Sequence, residues 1–514
     1  MIQVKELSMT HKKDLRVILE DVNFVLNDGD KAVIIGEEGN GKSTLMKWIY
    51  NPDIVEEYAE AKGIRILGQE RLGYLPQEIS AKDREKTVYE YFSEEDFFWN
   101  QTPKDLAILA KEFHITADFF YSDQKMMTLS GGEKVKAQLM KLLMQEPTVL
   151  LLDEPSNDID MQTLELLEEI ITKWKHMVLF ISHDETLIER TANMVIHIEQ
   201  IQRKTKARYT VAKMPYERYM KERAAKYDKQ EQQAIQDKRD KKIRDEKYKR
   251  VLQKVDHALE NCTRQDPATA KNLKDKMHTI KSMGKRFQRE DENMTDMPEQ
   301  ETAIYFKLGG QEASIPAGKT IIEYELPQLK IGERVLAKDI FLRVRGAEKI
   351  CIVGPNGAGK TTLMKKIAEE LLNRNDIHAE YMPQNYEELL DLDMNPVDFL
   401  DESGDKEERT RIRTYLGSLK YTADEMEHPI RELSGGQKAK VFLLKLSLSK
   451  ANVLILDEPT RNFSPLSGPV IRKMVREFPG AVLSISHDRK YIGEVCDKVY
   501  ELTADGLKLC INDD

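Results

Sequence analysis

The sequence predicts an α/β chain built from two copies of one domain, joined by a long helical hairpin. Three observations predict it. Four motifs occur twice in the same order. Short apolar runs end in glycine loops that lead into helix-forming stretches. The middle of the chain is a basic run with almost no glycine.

The duplication comes first. GEEGNGKST begins at Gly36 and GPNGAGKTT at Gly354; LSGGE begins at Leu129 and LSGGQ at Leu433. VLLLDEPS ends at Ser156 and VLILDEPT at Thr460; FISHD contains His183 and SISHD contains His487. Leu129 to Glu154 and Leu433 to Glu458 are both 25 residues, and each glutamate is followed 29 residues later by its histidine. Identical order and spacing mark two homologous domains, 1–210 and 299–514, with 211–298 between them.

Within each half the runs AVIIG and ICIVG read as strands entering a glycine loop, followed by the helix-like KSTLMKWI and KTTLMKKI. TVLLLDE, NVLILDE, MVLFISH and AVLSISH read as buried parallel strands. The opening residues of each half alternate polar and apolar, which suits a smaller antiparallel sheet, and each LSGG belongs to a mostly helical segment.

The middle differs in kind. Lys213 to Arg289 holds 23 Lys and Arg against 12 Asp and Glu, a net of +11 that leaves −21 on the rest of the chain. No Pro or Gly falls between Tyr216 and Leu259, and Asp266-Pro267 reads as an N-cap followed by proline in the first turn. Two helices are expected, 215–259 and 267–290, joined by a tip at 260–266.

Composition bounds the function. A chain of 514 residues with 40% apolar and 33% charged residues suits three or four domains, and its net charge of −10 is not that of a simple nucleic-acid binder. No apolar run approaches the ~18 residues of a membrane span, and the opening residues lack a signal-peptide core. Cys262, Cys351, Cys496 and Cys510 are scattered, which predicts reduced thiols and neither zinc nor an iron–sulfur cluster.

The motifs carry phosphate chemistry. In GxxxxGK[ST], glycines let backbone N–H groups wrap a triphosphate, the lysine neutralises phosphate charge and the hydroxyl holds Mg²⁺. The parts are Gly36, Gly39, Asn40, Gly41, Lys42, Ser43 and Thr44, then Gly354, Asn356, Gly357, Gly359, Lys360, Thr361 and Thr362. Asp153 and Asp457 end apolar runs where a carboxylate faces Mg²⁺; Glu154 and Glu458 follow as bases for the attacking water, with His183 and His487 to orient them. A serine and two glycines at a helix start form a second anion site, at Ser130, Gly131 and Gly132 and at Ser434, Gly435 and Gly436. One phosphate does not need two such sites in one domain, so each LSGG is expected to close over the nucleotide of the other half.

These motifs resemble those of the ATP-binding-cassette superfamily, with Q-loop glutamines at Gln77 (YLPQ) and Gln384 (YMPQ). The resemblance implies two P-loop ABC ATPase domains, each with a RecA-like α/β core, an antiparallel β subdomain and a helical signature subdomain. It implies ATP and Mg²⁺ as cofactors, with Ser43, Gln77 and Asp153, or Thr361, Gln384 and Asp457, about the metal. Two cassettes around a charged hairpin resemble the ABC-F proteins, ribosome-associated ATPases. DEPTRNFSPLSGPVIR from Asp457 and QDPATAKNLKDKMHTIKSMGKRF from Gln265 resemble their antibiotic-resistance branch. That implies a cytoplasmic monomer on the 70S ribosome, entering from the tRNA exit site. Its linker would reach rRNA, P-site tRNA and the peptidyl-transferase centre, protecting the ribosome from pleuromutilin, lincosamide or streptogramin A drugs. Leu259, Asn261, Cys262, Thr263, Arg264 and Gln265 would form the tip. A housekeeping translation factor of the same architecture and a transporter ATPase subunit are the alternatives.

Two departures stand out. Ser464 takes the D-loop place that Asp160 holds in the first half, which predicts unequal sites. Neither half offers a convincing aromatic for base stacking; His11 and Tyr324 are the candidates.

Overall fold

A strand with no solvent face belongs inside a parallel sheet, and Lys31–Ile35 is buried along its whole length. The computed structural model describes residues 1–157, 159–201, 206–261, 267–292, 294–295, 297–298 and 307–510. It forms two units, one holding both terminal halves and one holding residues 217–300.

In the first half β1 (Ile2–His11), β2 (Val17–Leu26), β3 (Lys31–Ile35), β4 (Ala59–Ile66), β5 (Leu72–Leu75), β6 (Val149–Asp153), β7 (Met177–Ile181), β8 (Met194–Ile201) and β9 (Lys206–Ala212) make two sheets. The order β5-β6-β7-β3-β8-β9 is parallel except for the last pair, and β2-β1-β4 is antiparallel. Apolar side chains of both sheets meet around Leu45, Met46 and Ile49 of the helix Lys42–Tyr50.

The second half repeats the plan. β10 (Thr320–Ile331) and β11 (Arg334–Arg345) form a two-stranded antiparallel sheet. β12 (Lys349–Val353), β13 (Ala379–Met382), β14 (Val453–Asp457), β15 (Ala481–Ile485), β16 (Lys498–Thr503) and β17 (Gly506–Cys510) are ordered β13-β14-β15-β12-β16-β17. In both main sheets the two central strands β3/β7 and β12/β15 end at the glycine loop and the histidine motif. Loops at the carboxyl ends of parallel strands are where such sheets bind ligands.

Each half also carries a helical segment ending in LSGG. Ser130 and Ser434 are N-caps of the helices Gly131–Met144 and Gly435–Leu448, each closed by a capping box with Glu133 or Gln437. Helix and sheet are thus joined at a defined, serine-marked corner.

The second unit is two helices, Tyr216–Glu260 and Pro267–Glu292. At ~1.5 Å per residue the first is about 68 Å long. Polar side chains dominate it, so a few contacts fix the pairing. Arg244 bonds Asp291 and Glu290 and lies 4.6 Å from the centroid of Phe287, whose ring meets Tyr248 edge-on at 5.8 Å. A side chain at Gly284 would strike the Tyr248 hydroxyl at 2.5 Å, so glycine permits the close approach. Asp237 accepts from the Thr295 N–H at 3.0 Å. Arg244→Ala removes an ion pair and a cation–ring contact together. It should weaken the helix pairing by about 1–3 kcal/mol, read as faster amide exchange across residues 240–250 with the cassettes unaffected. Leu259 is half-buried and Asn261 exposed, its N–H bonding the His257 carbonyl at 3.1 Å. Cys262, Thr263, Arg264 and Gln265 lie outside the described residues.

Among the described residues no helix is long and apolar enough to cross a membrane. Cys351, Cys496 and Cys510 are free.

Candidate nucleotide sites

Both glycine loops have the cradle geometry. Gly41, at φ +88°, starts the helix Lys42–Tyr50, and a side chain there would meet Ile18 at 2.2 Å. Lys42 Nζ donates to the Gly36 and Glu37 carbonyls at 2.9 and 3.1 Å; Lys360 Nζ repeats this on Gly354 and Pro355 at 2.8 and 3.0 Å. Both lysines are buried, so each ammonium is held inside its loop. Asn40 does something else: its amide donates to the Ile198 carbonyl at 3.1 Å, tying the loop to β8.

The second-half loop faces the first-half LSGG, as cross-half closure requires. A cavity of about 780 Å³ is lined by Lys360, Thr361, Thr362 and Gln384 on one side and by Ser130 and Gly131 on the other. Asn356, Gly357, Gly359, Asp457, Glu458 and His487 also line it. Gly132 sits behind, where a side chain would meet Thr163 Oγ1 at 2.9 Å. Ile331 and Arg334, at the turn between β10 and β11, reach the same cavity. Sequence reasoning missed both, because no aromatic marks that turn. His11 instead pairs with Asp14 at 2.8 Å.

The first-half loop faces the second-half LSGG more tightly. Glu38 accepts from the Gly436 N–H; Glu37 takes Lys440 at 2.7 Å, Ser464 at 2.8 Å and Ser467 at 3.0 Å. The space beside them, lined by Ser434 and Gly436, is about 50 Å³. Gly435 is next to Asn462, and Thr44 lies in the first turn of the helix Lys42–Tyr50.

The carboxylates after β6 and β14 differ as well. Glu154 and Glu458 both have φ above +50°, a backbone region non-glycine residues seldom occupy, and it aims each side chain off the strand end. Glu154 accepts from Gln77 at 2.7 Å and Asn157 at 2.7 Å and lies 3.1 Å from His183 Nε2, while His183 Nδ1 meets the Phe463 carbonyl of the other half at 2.6 Å. Burial works to raise its pKa, but His183, that hydrogen bond and Lys42 outweigh burial and hold Glu154 at about 2. Burial likewise opposes the charged His183, and Glu154 more than offsets it, so His183 titrates above its ordinary value.

In the second half, His487 Nε2 is 3.7 Å from Glu458, whose nearest donor is the His487 N–H at 3.3 Å. Burial, then the neighbouring Asp457, push Glu458 up to about 8; burial and Lys360 push His487 down to about 4. Asp153 is satisfied by Ser43 at 2.8 Å and Tyr74 at 3.2 Å. Both oxygens of Asp457 are buried and lack a hydrogen bond of good geometry among the described residues; the Thr361 hydroxyl is near enough to favour the charged form, but burial outweighs it and lifts the pKa to about 6. A buried carboxylate with no donor but the weakly placed Thr361 hydroxyl, beside Lys360, fits a cation. One carboxylate and one hydroxyl per site is the sparse oxygen set of Mg²⁺, which keeps waters and phosphate oxygens for its other positions.

Away from the loops the halves meet through charge. Arg472 donates to both oxygens of Glu185 at 2.9 and 3.2 Å, and both residues are buried. Lys490 reaches Glu185 at 3.1 Å and Glu189 at 2.5 Å; Arg489 reaches Glu168, and Asp184 at 3.3 Å.

Comparison with known proteins agrees with this geometry. The ABC transporter family model matches residues 19–157 and 337–461, together just over half the chain. The chain is 27% identical to the ribosome protection protein VmlR of Bacillus subtilis (strain 168), covering 97% of this chain and 86% of that protein. It is 26% identical to ABC transporter F family member 5 of Arabidopsis thaliana, covering 94% and 72%. Among solved structures an RNase-L inhibitor superposes with a TM-score of 0.58 over 98% of this chain and 91% of the other, at 17% identity, which shows a shared twin-cassette fold.

Proposed function

The chain belongs to the ABC transporter family, and from that premise we propose that it is an ATP-hydrolysing, ribosome-binding protein of the ABC-F kind. The observation that carries the reading is the hairpin. A net charge of +11 lies on residues 213–289, which take in most of two helices of 45 and 26 residues, while the rest of the chain totals −21. Such a segment supplies the counter-charge that RNA phosphates require, while acidic halves disfavour indiscriminate RNA binding. A relative named as a ribosome protection protein supports the same partner, and one named as an F-family member supports the subfamily.

ATP is bound between the glycine loop of one half and the LSGG of the other. Ser43, Asp153 and Gln77, or Thr361, Asp457 and Gln384, would hold Mg²⁺, which would supply neutralising charge at the phosphates. Lys42 and Lys360 turn from their loop carbonyls to the phosphates. Glu154 and Glu458 orient the attacking water and take its proton, with His183 and His487 holding each glutamate in place. Closure around ATP sets the two halves for ribosome engagement, and hydrolysis releases them. The protein works in the cytoplasm as a monomer. The hairpin, through its tip at Leu259 to Gln265, acts toward P-site tRNA and the peptidyl-transferase centre. It displaces pleuromutilin, lincosamide or streptogramin A drugs by shifting RNA, with no chemistry on the drug.

The test is co-sedimentation of the Glu154→Gln, Glu458→Gln double variant with 70S ribosomes. Removing both bases should cut turnover by about 10²–10⁴-fold and trap the protein on ribosomes in ATP but not in ADP. Binding should weaken steeply as salt rises. A variant that stays in the supernatant at low salt sinks the reading. Ribosome binding without a change in inhibitory drug concentration on expression would assign the chain to translation itself.

A further inference from the structure

The two glycine loops differ in charge where they touch the opposite half. Alignment of GEEGNGKST with GPNGAGKTT sets Glu37 opposite Pro355 and Glu38 opposite Asn356. At the second site the acid belongs to the facing half: Asp160 caps its own helix through the Thr163 N–H at 3.0 Å and also takes the Asn356 backbone N–H. At the first site the facing position is Ser464, and it donates to Glu37 at 2.8 Å. The carboxylate has changed sides of the interface. This accounts for the missing D-loop aspartate: an acid on both sides would place two like charges together, and here Glu37 is already satisfied by Lys440, Ser464 and Ser467.

Glu38 goes further. Its carboxylate sits on the Gly436 N–H, in the first turn of the helix Gly435–Leu448. That amide belongs to the anion position of the LSGG motif, where a phosphate oxygen would be accepted. A carboxylate oxygen has the same charge sign and the same acceptor role. A small space of about 50 Å³ adjoins this contact, lined by Glu37, Glu38, Ser434 and Gly436.

We propose that Glu37 and Glu38 form an intramolecular latch, in which Glu38 competes with the γ-phosphate of ATP for the LSGG amide at the first site. The inference rests on the ATP reading above and adds an order to it. ATP takes the second site first. It takes the first site only by displacing Glu38, so the latch holds that side of the two halves together until it is exchanged for nucleotide.

Equilibrium dialysis of the full chain with Mg-ATPγS tests this, with photolabelling by 8-azido-ATP and peptide mapping to assign the sites. The wild type should bind one nucleotide at the second site and another at least about tenfold more weakly at the first. Glu38→Asn, which installs the residue of the second loop, should bring the two affinities to within about threefold. Lys440→Gln loosens the latch from the opposite half without touching the loop, and should shift the ratio in the same direction. Two equal sites in the wild type, or a ratio unmoved by both variants, overturns the latch and leaves the ATP reading intact. No nucleotide on any of the proteins overturns the ATP reading itself, and the latch with it.

Discussion

Arg472→Ala is expected to be the most damaging single change at the contact between the halves, lowering stability by about 3–5 kcal/mol. The guanidinium is 4% exposed and forks onto Glu185, itself 6% exposed, while its Nε reaches Glu494 at 2.8 Å. Without it Glu185 keeps, among the described residues, only the bond from Lys490, and a largely buried carboxylate loses two charge-assisted donors. Gly468 makes the fit possible, since a side chain there would lie 2.3 Å from Glu185 Oε1. Thermal unfolding should show an earlier transition, and limited proteolysis should cut the halves apart. A loss under about 1 kcal/mol would place this pair among surface ion pairs of little worth.

The second large effect is a contrast between the two glutamates. Glu458→Gln should stabilise the chain at alkaline pH, and Glu154→Gln should destabilise it. The sign follows from linkage. A carboxyl raised from 4.5 to about 8 resists its charge, so its presence costs stability increasingly as pH climbs through that interval. A carboxyl lowered to about 2 favours its charge, and its contribution is present above pH 4.5 and lost as pH falls toward 2. Glu458→Gln should therefore raise Tm by a few °C at pH 8.5, on the order of several kcal/mol, and by roughly a third of that at pH 5.5. Glu154→Gln removes the charge and replaces one of the two oxygens facing His183, Gln77 and Asn157 by an amide donor, and should cost about 1–3 kcal/mol at both values. The measurement is a melting series in chelator without nucleotide. Equal shifts for the two variants would show that the sites share one electrostatic environment.

What could be read in advance follows from how local each signal is. Strand-to-loop runs, LSGG caps and long helices are written in neighbouring residues. The expected helices 215–259 and 267–290 therefore lie close to the observed Tyr216–Glu260 and Pro267–Glu292. Ser464 is visible as a departure because the other half supplies its comparison. Its partner Glu37 is not, since they meet across 427 residues of chain and only folding brings them together. Asn40 is another case: its motif position suggests nucleotide, and its amide is spent on Ile198. The unequal surroundings of Glu154 and Glu458 depend on how near each histidine stands, 3.1 against 3.7 Å, a difference that no spacing in the sequence encodes.

The charged contact between the halves has a consequence for partner choice. Glu185 and Arg489 stand at equivalent places, each directly after a His-Asp pair, and the helices Glu185–Thr191 and Arg489–Val495 lie against each other. The duplicated halves have thus become lock and key. Glu185 pairs with Arg472, and Arg489 with Glu168, which stands where Arg472 stands in the other half. Two first halves would set Glu185 against Glu168, and two second halves Arg489 against Arg472, while the unlike pairs are satisfied. Halves expressed as separate chains should find each other and reject their own kind. The ancestral symmetry survives in the backbone and has been erased in the choice of mate.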